Sequence, residues 1–137
     1  MSRAFMLLVT LTIVSSGCGR SENINLAEQA VLSFRERLDA GEFNQIYELS
    51  SDELKKASTQ SNFVALLDAV HRKLGNVKSA ERQAWSTNYR TSGTFITLTY
   101  KTAYSEGEAA EQFVFRMQDH AAALAGYRVN ANALVVK

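Results

Sequence analysis

Apolar positions recur along this chain with two different periods, and the change between them falls at Gly75. Before it, Leu26, Ala27, Ala30, Val31, Phe34 and Leu38 return at intervals that keep them on one helix face. Asn25 followed by Glu28 has the form of a capping box at that helix's start, and Gly41 is placed to end it. A shorter helix is expected around Phe43, Ile46 and Tyr47, then a turn through Leu54 and Ala57 opened by Ser50 with Glu53. The next stripe, Phe63, Leu66, Leu67, Val70 and Leu74, predicts a helix capped by Ser61 and stopped by Gly75.

Beyond Gly75 the apolar period is two, which is that of a strand with one buried face. "TFITLTYKTAY" sets Ile96, Leu98, Tyr100 and Tyr104 against Thr97, Thr99 and Lys101. "QFVFRMQ" sets Phe113, Phe115 and Met117 against Val114, Arg116 and Gln118. "YRVNANALVV" sets Tyr127, Val129, Ala131 and Ala133 against Arg128, Asn130 and Asn132. A weaker strand over residues 77–90 would place Val77, Trp85 and Tyr89 on one face. "TSG" at 91–93 and "SEGE" at 105–108 supply turns. Helices first and one-sided strands after them predict an α+β fold, with N-terminal helices packed on a curved four-stranded antiparallel sheet to form a cone.

Composition narrows what such a cone could meet. With 137 residues there is room for one core. The formal net charge of +1 and the lack of any basic run exclude an electrostatic footprint for nucleic acid and a polybasic membrane patch. Of the 15 basic residues only Arg3 precedes Cys18, so the rest balances its 14 acidic residues.

The start, "MSRAFMLLVTLTIVSSGC", has the zones of an export signal: Arg3, an apolar run over residues 4–14, then small residues before the one cysteine. That run is too short to span a bilayer, which takes roughly twenty residues. Ser16, Gly17 and Cys18 resemble the lipobox of bacterial lipoproteins, with Ser15 where that family usually has Leu, Val or Ile. The resemblance implies a thiol alkylated with diacylglycerol and a chain cut just before it. Residues 1–17 would then be a signal peptide, 18–25 a lipidated tether and 26–137 the folded domain. Gly19, in place of an aspartate, implies the outer membrane facing the periplasm if the cell is Gram-negative.

"LDAGEFNQIYELSSDELKK", "FVALLDAVHRKLGNV" and "GYRV" together are similar to small exported proteins of the nuclear-transport-factor-2-like (cystatin-like) superfamily, including its domains of unknown function. The likeness covers about residues 26–136; the run Ala121–Ala125 departs from it, standing where an aromatic commonly precedes the final "GY". That superfamily implies a cone used by isomerases, by dehydratases and by non-catalytic binding or assembly modules.

The open end of a cone can hold a small molecule, and Trp85, Tyr100, Tyr104, Phe115 and Tyr127 are the aromatics placed to line it. The same side chains would equally fill the core of a small domain. A cone isomerase needs a carboxylate base facing a proton donor. Glu81, Glu111 and Asp119 are candidate bases and Tyr100 and Tyr127 candidate donors, but no pattern makes any of them converge. His71 and His120 fall in different elements without ligand spacing, and neither a nucleophile elbow nor a phosphate-cradling glycine loop is present. No metal or cofactor is therefore expected. These features describe a non-catalytic binding module of the cell envelope, held to the membrane through lipidated Cys18, with an envelope protein, a glycan or a small hydrophobic compound as ligand. The alternatives are an assembly protein that pairs weakly with a second copy through its polar outer sheet face, or a cone enzyme of isomerase or dehydratase type.

Overall fold

A computed structural model describes residues 18–135. The order of elements is α1 (Cys18–Asp39), α2 (Phe43–Glu48), α3 (Asp52–Ala57), α4 (Gln60–Leu74), β1 (Val77–Arg90), β2 (Gly93–Tyr104), β3 (Gly107–Gln118) and β4 (Ala121–Asn130), closed by a 3₁₀ turn at Asn132–Leu134. The four strands form one antiparallel sheet in sequence order. The fold is thus α+β, helices first and an open curved sheet after them, as the change of period implies. The signal peptide expected over residues 1–17 lies outside the described residues.

Several helix ends differ from those expected. Asn25 caps nothing, because α1 runs back to Cys18 through the stretch expected as a tether. Once a helix is nucleated each added residue gains one hydrogen bond, and 18–25 holds no proline to stop that extension, although Gly19, Ser21, Asn23 and Asn25 favour it only weakly. Ser50 donates its hydroxyl to the Ile46 carbonyl at 2.7 Å, and Ser51, extended at ψ 166°, takes the N-cap position of α3. Only Ser58 and Thr59 separate α3 from α4, so the cap of α4 is Thr59, whose hydroxyl accepts from the Asn62 N–H at 3.2 Å, and not Ser61. Gly75 ends α4 at φ +77°, and its amide donates to the His71 carbonyl at 2.9 Å.

β2 and β3 follow their period, whereas β1 breaks it at two register shifts and β4 departs from its expected start. β4 begins at Ala121, not at Tyr127, and the alanine run pairs with Phe115–Gln118 across a turn in which Asp119 adopts φ 52°. Alanines carry no large–small contrast, so their strand leaves no periodic mark. Val114 pairs with Gly126 and Phe115 with Leu124, which makes Ala125 the extra residue of a bulge. Ala133, expected to point inward, leaves the sheet in the 3₁₀ turn and is exposed.

Register assembles the interior row by row. Ile96, Phe115 and Leu124 lie side by side, then Leu98, Phe113 and Tyr127, then Tyr100, Glu111 and Val129. Against them pack Ala27, Val31, Phe34 and Leu38 of α1, with Phe63, Leu67, Val70 and Leu74 of α4. Phe113 is the hub: Phe34 meets it edge-on at 5.1 Å and Tyr127 leans on it at 5.1 Å. A side chain of this kind contributes about 1.5–3 kcal/mol through burial alone. β1 is the exception, exposed at almost every position although Trp85 stands opposite Leu98 on the helix side. Two register shifts and the charges of Lys78, Arg82 and Arg90 discourage further pairing along this open edge.

Candidate functional site

The third of those rows carries a charge into the core. By strand parity Glu111 falls between Ala109 and Phe113 on the inner face, and its side chain is 0% exposed. A carboxylate removed from water at that depth needs donors, and three are supplied from three elements. Arg35 of α1 donates from Nη1 to Glu111 Oε1 at 3.1 Å. The phenols of Tyr104 on β2 and Tyr127 on β4 both donate to Oε2, at 2.8 and 2.5 Å. Arg35 spends a second nitrogen, Nη2, on the Thr102 hydroxyl at 3.2 Å. Its guanidinium lies 5.1 Å from the ring centre of Tyr100 and 5.6 Å from that of Phe113, so aromatic faces complete its surroundings.

Electrostatics fixes the protonation of the phenols. Burial first, and the Glu111 charge second, push the Tyr104 and Tyr127 phenols far above the ordinary tyrosine range. Burial likewise raises Tyr100, helped by the nearby charge of Glu28. Both partners of Glu111 therefore remain proton donors through the physiological range. Glu111 has its oxygens engaged by a guanidinium and two phenols, and no face of it reaches solvent. A general base needs a free lone pair within reach of a substrate proton. Three of the four lone-pair sites of Glu111 carry hydrogen bonds, and the fourth, on Oε1, is shut from solvent; chemically the group is an ion pair with two hydroxyl braces.

The residues singled out in the sequence divide accordingly. Tyr100, Tyr104, Phe115 and Tyr127 meet in the interior, where Tyr104 and Tyr127 also serve Glu111. Trp85 lies on β1, 43% exposed. Cys18 is the first residue of α1. Glu81 pairs with Lys101 on the outer face, because a register shift between Arg82 and Ala84 reverses the parity linking it to Trp85. Asp119 is exposed in the β3–β4 turn. His71 packs edge-on against Phe43 at 5.9 Å, and His120 lies exposed, 3.8 Å from Glu22. Among the described residues no three His, Cys, Asp or Glu side chains gather as a metal would require.

Arg35 and Thr102 escape the sequence reading, though both left a signal. Arg35 continues the spacing of Ala27 and Val31 on the buried stripe of α1, where a charge is out of place. Thr102 sits between Tyr100 and Tyr104 with inward parity.

Beside this network the molecule opens into a groove. One part, about 530 Å³, is bordered by Leu66 of α4 and by Gln112, Tyr127, Arg128 and Val129 of β3 and β4. A second part of about 520 Å³ shares Leu66, Gln112, Tyr127 and Arg128, and continues past Phe63 to Arg90. Volumes of this order are those of small-molecule sites. Tyr127 thus belongs to both places: its hydroxyl is bound inward to Glu111, and its flank forms groove wall.

No curated protein matches the chain. Residues 30–127, a stretch that contains Arg35, Thr102, Tyr104, Glu111 and Tyr127, match one family, and the chain belongs to it: the family described as protein of unknown function, DUF4019.

Proposed function

We propose that this chain is a non-catalytic binding module of the cell envelope, a cone of the nuclear-transport-factor-2-like kind held at a membrane by lipidated Cys18, with its ligand seated in the groove beside β4. The observation that carries the reading is the state of Glu111. It is a buried carboxylate of the kind an isomerase base requires, and Arg35, Tyr104 and Tyr127 hold three of its four lone-pair sites while no face of it reaches solvent. The groove supports the second half of the reading: it is open, sized for a small molecule, and walled by the same Tyr127.

Native mass spectrometry on residues 19–137, which include every core residue from Ala27 to Ala131, tests this directly. Protein freshly purified from bacterial lysate is expected to carry a substoichiometric extra mass that is lost on denaturation. A bare species that also fails to retain any compound from an envelope lipid extract would overturn the reading.

A further inference from the structure

The groove beside β4 has a chemical bias that its size alone does not give. Leu54 and Phe63 in one part, Val129 in the other, and Leu66 common to both give it apolar surface. Beside them lie the neutral polar Ser58, Thr99, Gln112 and Asn130. Its charged border is of one sign. Arg128 lines both parts, is exposed, and makes no ion pair among the described residues. Arg90 lines the second part, its guanidinium 5.2 Å from the ring centre of Phe95. The one acidic residue bordering the groove is Glu111, and its carboxylate is turned inward and neutralised by Arg35. A ligand therefore meets cationic donors and hydrocarbon in one groove, with no exposed negative charge to repel it.

We infer that the groove takes an amphiphile with a carboxylate head and an apolar body of fatty-acid type, the head on Arg128 and the body against Leu66 and Phe63. This inference rests on the binding reading above and names its ligand class. Arginine suits the head because its planar donors match a carboxylate in a two-bonded fork. The apolar body supplies most of the attraction, as burial does in small-molecule sites generally.

The test is photo-crosslinking on the full chain in its membrane, with a diazirine-bearing dodecanoate and its uncharged dodecanol counterpart as probes. Crosslinks from the dodecanoate are expected on the peptides that hold Leu66 and Tyr127, with dodecanol labelling them at least fivefold less. Arg128→Gln, an exposed change that disturbs no described contact, is expected to cut dodecanoate labelling about tenfold, the order of one charge-assisted bond. Arg90→Gln is a second variant, expected to act in the same direction but more weakly. Equal labelling by dodecanol, or full labelling of Arg128→Gln, would overturn the carboxylate preference and leave the groove a binding site. Labelling that avoids the groove altogether would overturn both the ligand class and the site.

Discussion

Burying Glu111 and Arg35 is costly at the level of single residues, since each ion loses several kcal/mol of hydration that attraction only partly restores. Hydrogen bonds are what make the pair tolerable: Tyr104 and Tyr127 donate to Glu111, and Arg35 donates to Glu111 and Thr102. The tyrosines bring a pH dependence with a definite sign. Their native ionisation lies far above the value near 10 of an unfolded tyrosine, so above that pH the unfolded chain releases protons the native protein keeps. Stability from this source is complete below about pH 10 and falls as pH rises beyond it. Urea midpoints measured from pH 8 to 11.5 are expected to be level at first and then decline, and Tyr127→Phe is expected to make the decline shallower. A curve that stays flat to pH 11.5 would contradict the buried phenols. Parity alone placed Tyr100, Tyr104 and Tyr127 inward, whereas their meeting with Arg35 required the helix's rotation over the sheet, which no local pattern encodes.

At the scale of elements, junctions decide the outcome more than interiors do. α4 passes into β1 through Gly75, and that turn is stitched to the β2–β3 hairpin. Ser105 N–H donates to the Asn76 carbonyl at 2.8 Å, Glu106 N–H to that of Leu74 at 2.9 Å, and Asn76 N–H to Ser105 Oγ at 3.2 Å. A Cβ on Gly75 would sit 1.9 Å from Ser105 Oγ, on backbone already at φ +77°. Gly41 has a similar φ of +74° but open space around it. Gly75→Ala is expected to cost about 1–3 kcal/mol in urea unfolding, and Gly41→Ala roughly 1 kcal/mol. Equal losses would mean that the hairpin yields and the close approach is unimportant. Helices and strands were legible here because large apolar residues mark their faces. The cap positions and the start of β4 were not, since serines and threonines crowd each junction and the Ala121–Ala125 run has no contrast to read.

For the whole molecule, the proposed function assigns attachment and binding to separate parts. Among the described residues no helix is long and apolar enough to cross a membrane. The proposed attachment therefore rests on Cys18, from which α1 leads directly into the core, Ala27 already being fully buried. Labelled fatty acid supplied to cells is expected to be incorporated into the native protein and not into Cys18→Ala; equal incorporation would remove the anchor from the account.

The most direct measurement is the unfolding free energy of Glu111→Gln, by urea denaturation at pH 7. If Glu111 is a structural carboxylate, its replacement strands Arg35 as a buried, unpaired cation and lowers stability by about 3–5 kcal/mol. Residues held for chemistry behave differently, because sites kept strained for activity gain stability when they are replaced. A Glu111→Gln protein as stable as the native one, or more so, would contradict the structural ion pair and return Glu111 to the candidates for catalysis.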